Sequence, residues 1–415
     1  MKKILTILIV TLLILAVAAF GWYFFFRDPS VPVAETIKDI LPFGSEREDT
    51  TPTGLPGGER RAVNERQPGL DEFNRPTANL FRIAATPVAG LVVFDRANQT
   101  VVRYVDRATG HIYDITLPVG ASSTALEKIR VTNNTLPKIY EAYFRPDGNA
   151  VLLRTLKDDS ETVENLSLAL TPPQTDNELY NVSSTVLRGD MSAVAVGAGN
   201  TLLYALRDAS AIVSSTFTGS GARTLLTLPF TDWRLAASGS SLIAYTKASA
   251  SAPGYAYTLN ISSGALRKIL GPLNGLVAIP DTTGNRVLYS YIEGDTTKLF
   301  SRNLTNNAVV EITPATLAEK CVWSVRKTGN IFCGIPTEDL GPGEPDHWYR
   351  GMTHFSDRLW LMDANAGLAK ILAEPATILG LSLDAIELKL APSENYLIFI
   401  NKADLSLWAL RLEQS

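Results

Sequence analysis

Short, strand-like apolar runs recur through most of this chain at a spacing of 41 to 43 residues, with almost no helical period among them. The clearest copies are consecutive. Residues 192–230 read SAVAVGAGNTLLYALRD and then AIVSSTFTGSGARTLLTLPF, residues 233–273 repeat the plan as WRLAASGSSLIAYTKAS and GYAYTLNISSGALRKILGPL, and residues 276–314 as LVAIPDTTGNRVLYSYIEG and TKLFSRNLTNNAVVEITP. Each copy sets alternating apolar strands on either side of a Gly or Asn turn, and its length holds about four strands. A unit this small cannot bury its own apolar faces. It must stack on its neighbours.

The flanking segments follow the same plan less cleanly. Upstream, residues 88–117 lead into LEKIRVTN, and 139–156 lead through ENLSLAL to VSSTVL; downstream, 319–336 lead, after an insertion, to DRLWLMDANAGLAKIL. The last copy, residues 385–412, supplies three strands and no fourth, while Leu80-Phe81-Arg82-Ile83-Ala84 stands alone before the first copy. An orphan strand at one end and a missing strand at the other predict a ring closed by both ends of the chain, which removes the open sheet edge. The expected fold is therefore all-β, a β-propeller of seven four-stranded blades over residues 79–415. A pair of β-sandwiches or a β-helix is the rival, but neither asks for a four-strand unit completed from the other terminus.

The remaining residues differ in composition. Ile4 to Phe26 is a 23-residue run without a charge, long enough as a helix to cross a hydrocarbon core of about 30 Å. Lys2 and Lys3 precede it, so residues 1–27 read as a short cytoplasmic stub and an uncleaved signal anchor, with everything beyond outside the cytoplasm. A cleaved signal peptide ending at Ala16-Val17-Ala18 is the alternative; the aromatic continuation to Phe26 is too long for it. Residues 28–78 hold ten acidic and six basic side chains and seven prolines, and read as a disordered tether. Within it Val33 to Phe43 carries Ile37, Ile40 and Leu41 at helical spacing, either a transient turn or a docking motif.

Phe144-Arg145-Pro146-Asp147-Gly148, followed by an apolar strand, resembles the F-S-P-D-G turn of TolB-type and related WD-like propeller repeats, with Arg145 in place of the serine. That turn joins the first two strands of a blade. The wider order of anchor, Pro-rich tether, RYVDRATGHIYD, CVWS and DHWYRGMTHFSDRLW segments is similar to a group of membrane-anchored bacterial propeller proteins from small-genome lineages. The resemblance implies architecture and topology and no activity.

Few residues point to chemistry. Cys321 and Cys333 flank the Lys327-Thr328-Gly329-Asn330 turn and fall on adjacent strands, where they are either bridged or two separate buried thiols. The insertion from Glu338 to Ser356 holds Asp346, His347, Trp348, Tyr349, Arg350 and His354, with Asp357 just beyond, so two of the three histidines lie within eight residues. It reads as a loop plugged by its own aromatics, as a contact for a protein or glycan partner, or, least well supported by spacing, as an acid-base or metal site. Nucleophile elbow, zinc-helix, Walker and dinucleotide signatures are all missing, and no cofactor or metal is called for. Pairs such as Asp158-Asp159 and Glu338-Asp339 read as solvated turn residues. Residues 79–415 carry a net charge of −3, which gives nucleic acid no electrostatic footprint. The expected function is a binding or scaffold module for a protein or glycan partner; an envelope polysaccharide hydrolase or lyase with its site at the channel mouth is the alternative, by analogy of fold.

Overall fold

A computed structural model describes residues 67–412 apart from 121–123, 158–161, 176–177 and 230–231. The expected membrane helix, the tether up to residue 66 with its 33–43 patch, and the Asp158-Asp159 pair lie outside these residues. Among those described, no helix is long and apolar enough to cross a membrane.

The middle strands of the repeats, such as Thr201–Leu206 and Tyr396–Asn401, read as nearly continuous apolar runs and are buried along most of their length. Only a strand covered on both faces tolerates that pattern. The cover comes from neighbouring sheets. Seven four-stranded antiparallel sheets form the ring, and in the first six the strands follow sequence order. These blades span 88–130, 139–187, 191–227, 233–274, 277–311 and 321–373. Blade 7 takes Ala385–Leu390, Tyr396–Asn401 and Leu407–Arg411, and its fourth strand is Leu80–Ala84, with Leu80 opposite Leu410. The closure expected from the orphan strand is present, as is the seven-bladed fold.

The apolar core is divided into sectors between adjacent blades. Val105, Ile139 and Leu153 pack between blades 1 and 2, Leu203, Trp233 and Leu259 between blades 3 and 4, and Leu359, Leu383 and Trp408 between blades 6 and 7. The first strand of each blade is innermost and lines the central channel. The Phe144 to Gly148 turn joins the first and second strands of blade 2 as the resemblance implied. Gly148 adopts φ +73°, and a Cβ there would meet the Phe94 ring at 2.8 Å, so blade 1 needs a glycine at this point.

The described structure begins inside the segment expected to be a tether. Residues 67–78, placed in it from their charge and prolines, pack onto the ring: Leu70 is buried among Phe81, Ile83 and Tyr396 and pairs with Pro76, and Asp71 accepts from the backbone N–H groups of Phe73 and Arg75. One buried leucine and a turn closed by its own carboxylate outweigh the polar average of the segment. Cys321 and Cys333 are directly opposite on the first two strands of blade 6 and form a disulfide.

Candidate functional site

In a four-stranded meander the starts of the inner strands and the connections between second and third strands share one face of the ring, here called the upper face. The remaining turns lie on the lower face. The blade 6 insertion joins Asn330–Pro336 to Asp357–Asp363 and therefore stands on the upper face.

The insertion is held from beneath. Its one-turn helix, Asp346–Tyr349, sends Trp348 into a cluster with Leu317, Leu340 and Phe355, where the indole stacks on Phe355 with centroids 5.9 Å apart. Trp348 Nε1 donates to Asp384 Oδ2 at 2.8 Å. Below the rings lies Lys320, fully buried, its ammonium 2.8 Å from Asp357 Oδ2 and 2.5 Å from Asp384 Oδ1. Two carboxylates thus share one cation, a group with one uncompensated negative charge if both acids are ionised. Burial and the neighbouring Asp384 charge raise Asp357 to about 6 despite Lys320. Asp357 Oδ1 has no hydrogen-bond partner among the described residues. At its other end the insertion reaches blade 4, where Asp346 Oδ2 accepts from Ala250 N at 2.6 Å.

A 3-10 turn at Ala318–Lys320 connects this support to the channel. It directs Lys320 into the buried group and leaves the adjacent Glu319 free to receive the Tyr349 hydroxyl, which donates to its carboxylate. Burial raises Glu319 above the usual carboxylate range, with Tyr349, Arg234 and Lys320 opposing, and burial next to Glu319 pushes the Tyr349 hydroxyl well up. Across the mouth, Glu141 pairs with Arg154 at 2.7 Å and accepts from the Tyr143 hydroxyl at 3.1 Å. Arg154 also bonds Asn165 and the Met191 carbonyl, so its position is fixed by three partners. Glu387 of blade 7 acts on both Tyr143 and Glu319, which places the two clusters in one electrostatic environment.

The channel encloses about 770 Å³. Further along the inner strands its lining is mostly apolar, through Val93, Val196, Ala237, Pro280, Val325 and Leu390, with Thr282 and Lys389 as polar exceptions. The arrangement is a charged, tyrosine-bearing mouth over an apolar shaft, suited to holding a polar group at the rim with an apolar portion below.

The residues singled out from sequence separate in space. Trp348 is the plug; Tyr349 instead turns to the mouth; Asp346 forms the strut to blade 4. Arg350 and His354 are exposed, and His347 lies against Gly343, where a Cβ would come within 2.6 Å of the imidazole. His111, against Thr135 and Arg130 in blade 1, does not join them. Among the described residues no group of three or more His, Cys, Asp or Glu is gathered as for a metal ion. The mouth residues Glu141, Arg154, Arg234, Glu319 and Glu387 carried no sequence signal, four of them lying at or near the starts of inner strands and Arg154 near the end of a second strand, and only the ring brings them together.

No protein-family model matches the chain, and no curated protein matches it. Solved structures show the likeness of fold. YCF48 bound to D1 peptide is 11% identical with a TM-score of 0.50, over 84% of this chain and 100% of that one. TolB from Acinetobacter baumannii is 12% identical with a TM-score of 0.39, over 78% and 79%. Oligogalacturonate lyase in complex with manganese is 10% identical with a TM-score of 0.44, over 79% and 97%.

Proposed function

We propose that the chain is a membrane-anchored, extracytoplasmic propeller that acts as a binding or scaffold module, with the upper face holding a protein partner. One observation carries this reading. Trp348, locked onto buried Asp384 and Lys320, makes a rigid base from which Arg350 and Met352 stand in solvent, Met352 being 69% exposed, while Tyr349 turns its hydroxyl to Glu319. Contact residues that are already ordered lose little entropy on binding, and tyrosine and arginine are frequent anchors of interfaces. The uncharged run Ile4 to Phe26 supports the anchor, and the Cys321–Cys333 disulfide supports an oxidising compartment. The YCF48 structure, bound to a D1 peptide, is an instance of a propeller holding a peptide. A glycan remains the other partner class for the same surface.

A photo-crosslinker replacing Met352 in the native membrane tests the proposal. It should give one dominant adduct that disappears when Tyr349 and Arg350 are both changed to Ala. A smear of adducts unaffected by that change argues against it. The second reading, a hydrolase or lyase acting on envelope polysaccharide, is favoured by the raised Glu319 carboxyl among Arg234, Tyr245 and Tyr349. Turnover of cell-wall or capsular polysaccharide that is lost in Glu319→Gln would establish it in place of the first.

A further inference from the structure

The net charge of −3 over residues 79–415 hides a local concentration of the opposite sign on the lower face. Where blades 6 and 7 meet, a cleft of about 560 Å³ is lined by Arg326, Lys327, Lys370 and Arg411, with Glu394 as its one acid. That acid is already consumed. Glu394 Oε1 accepts from the backbone N–H groups of Val325 at 2.7 Å and Arg326 at 3.0 Å, and both its oxygens lie within 2.9 Å of the Ser324 hydroxyl. None of the four basic side chains forms an ion pair among the described residues.

Arg411 is the most telling of them. Its Nε donates to the Tyr396 hydroxyl at 3.1 Å, while Nη2 is buried without a partner among the described residues, as is the Ser393 hydroxyl on the same wall. Buried donors left unpaired are costly, and both belong to residues that line this cleft. We propose that this cleft binds a small phosphorylated ligand. Several unpaired cations around one cleft favour a dianion over a single carboxylate, and Arg and Lys are the side chains that hold phosphate. Phe332, Leu361 and Leu372 supply an apolar wall for the body that carries the phosphate. Asn79, next to the closing strand Leu80–Ala84, and Arg411, at the end of the third strand of blade 7 that pairs with it, both border the cleft, so the ligand would sit at the seam of the ring.

The test is calorimetric titration of the full chain in detergent with inorganic phosphate and, separately, with glucose 6-phosphate. Saturable binding at one site is expected, weakened about tenfold or more in the double variant Lys327→Ala, Lys370→Ala. Binding should stay within about twofold in Arg267→Ala, an exposed arginine on blade 4. Tighter binding of the sugar phosphate would assign a role to the apolar wall; equal binding would make the free anion sufficient. Bound phosphate should also raise the melting temperature, since it joins both sides of the seam. No saturable heat with either probe, an unaffected double variant, or an equal loss in Arg267→Ala would overturn the proposal. Unliganded melting temperatures equal to wild type confirm that the lysine variants are folded.

Discussion

At the scale of single residues, the buried Lys320, Asp357 and Asp384 decide how the upper face behaves. An acid whose carboxyl titrates near 6 in the fold, against 3.8 for an ordinary aspartate, binds its proton more tightly folded than unfolded. Its contribution to stability is therefore complete below about pH 4 and is lost as pH rises through about 6. Thermal unfolding across pH 4 to 7 should show this loss, about 3 kcal/mol for a shift of about two units, and the loss should be absent in Asp357→Asn. Equal pH profiles for the two proteins would contradict it. Trp348→Ala removes a buried indole and uncovers the same cluster, at a cost of about 3 to 5 kcal/mol. Chemical denaturation should report that destabilisation, with proteolysis of residues 337–356 appearing before global unfolding. Trp348 and Asp357 drew notice in the sequence because they sit in an aromatic, charged insertion. Lys320 and Asp384 did not: each is an ordinary polar residue at the start of a strand, and their meeting depends on how blade 6 stands against blade 7.

At the scale of elements, strands were far more legible than sites. The copies beginning at 192, 233 and 276 correspond to blades starting at Met191, Trp233 and Val277, because periodic alternation is imposed by local burial and is written into consecutive residues. Cys321 and Cys333 face each other only across a loop with an odd number of residues, and the register leaves such a loop at 324–330. The bridge ties the inner strand of blade 6 to its neighbour beneath the insertion. Cys321→Ser with Cys333→Ser should lower stability by about 3 kcal/mol, visible as a lower melting temperature that reductant reproduces in the wild type. Alkylation of two thiols in non-reduced protein would show that the bond is absent. The cleft between blades 6 and 7 had no comparable signature, since Arg326, Lys370 and Arg411 belong to three strands or turns separated by dozens of residues.

At the scale of the whole molecule, the core clusters between neighbouring blades rely on one another, and those flanking blade 7 depend on a strand from far earlier in the chain. Leu80 and Phe81 are fully buried against the final blade. Deleting residues 67–84 removes those side chains and leaves Leu407–Arg411 as an open edge. Each fully buried large apolar side chain contributes about 2 to 3 kcal/mol, and an uncovered edge strand pairs with other copies. The shortened protein should melt earlier than the full chain and form species of higher mass than the full chain does in light scattering. A shortened protein that stays monomeric with an unchanged melting temperature would mean that three strands suffice for blade 7.

The pairing of Leu80 with Leu410 also sets a clock. Contacts that distant in sequence form late, because their loop-closing entropy is met only after nearer contacts exist. During synthesis Leu80–Ala84 emerges first among the described strands and lacks its strand partner until Leu407–Arg411 has followed it. The molecule therefore carries an unfinished edge for the whole time its other blades are being made. Completion of the ring waits for Leu407–Arg411, and a chain interrupted before them keeps that edge open.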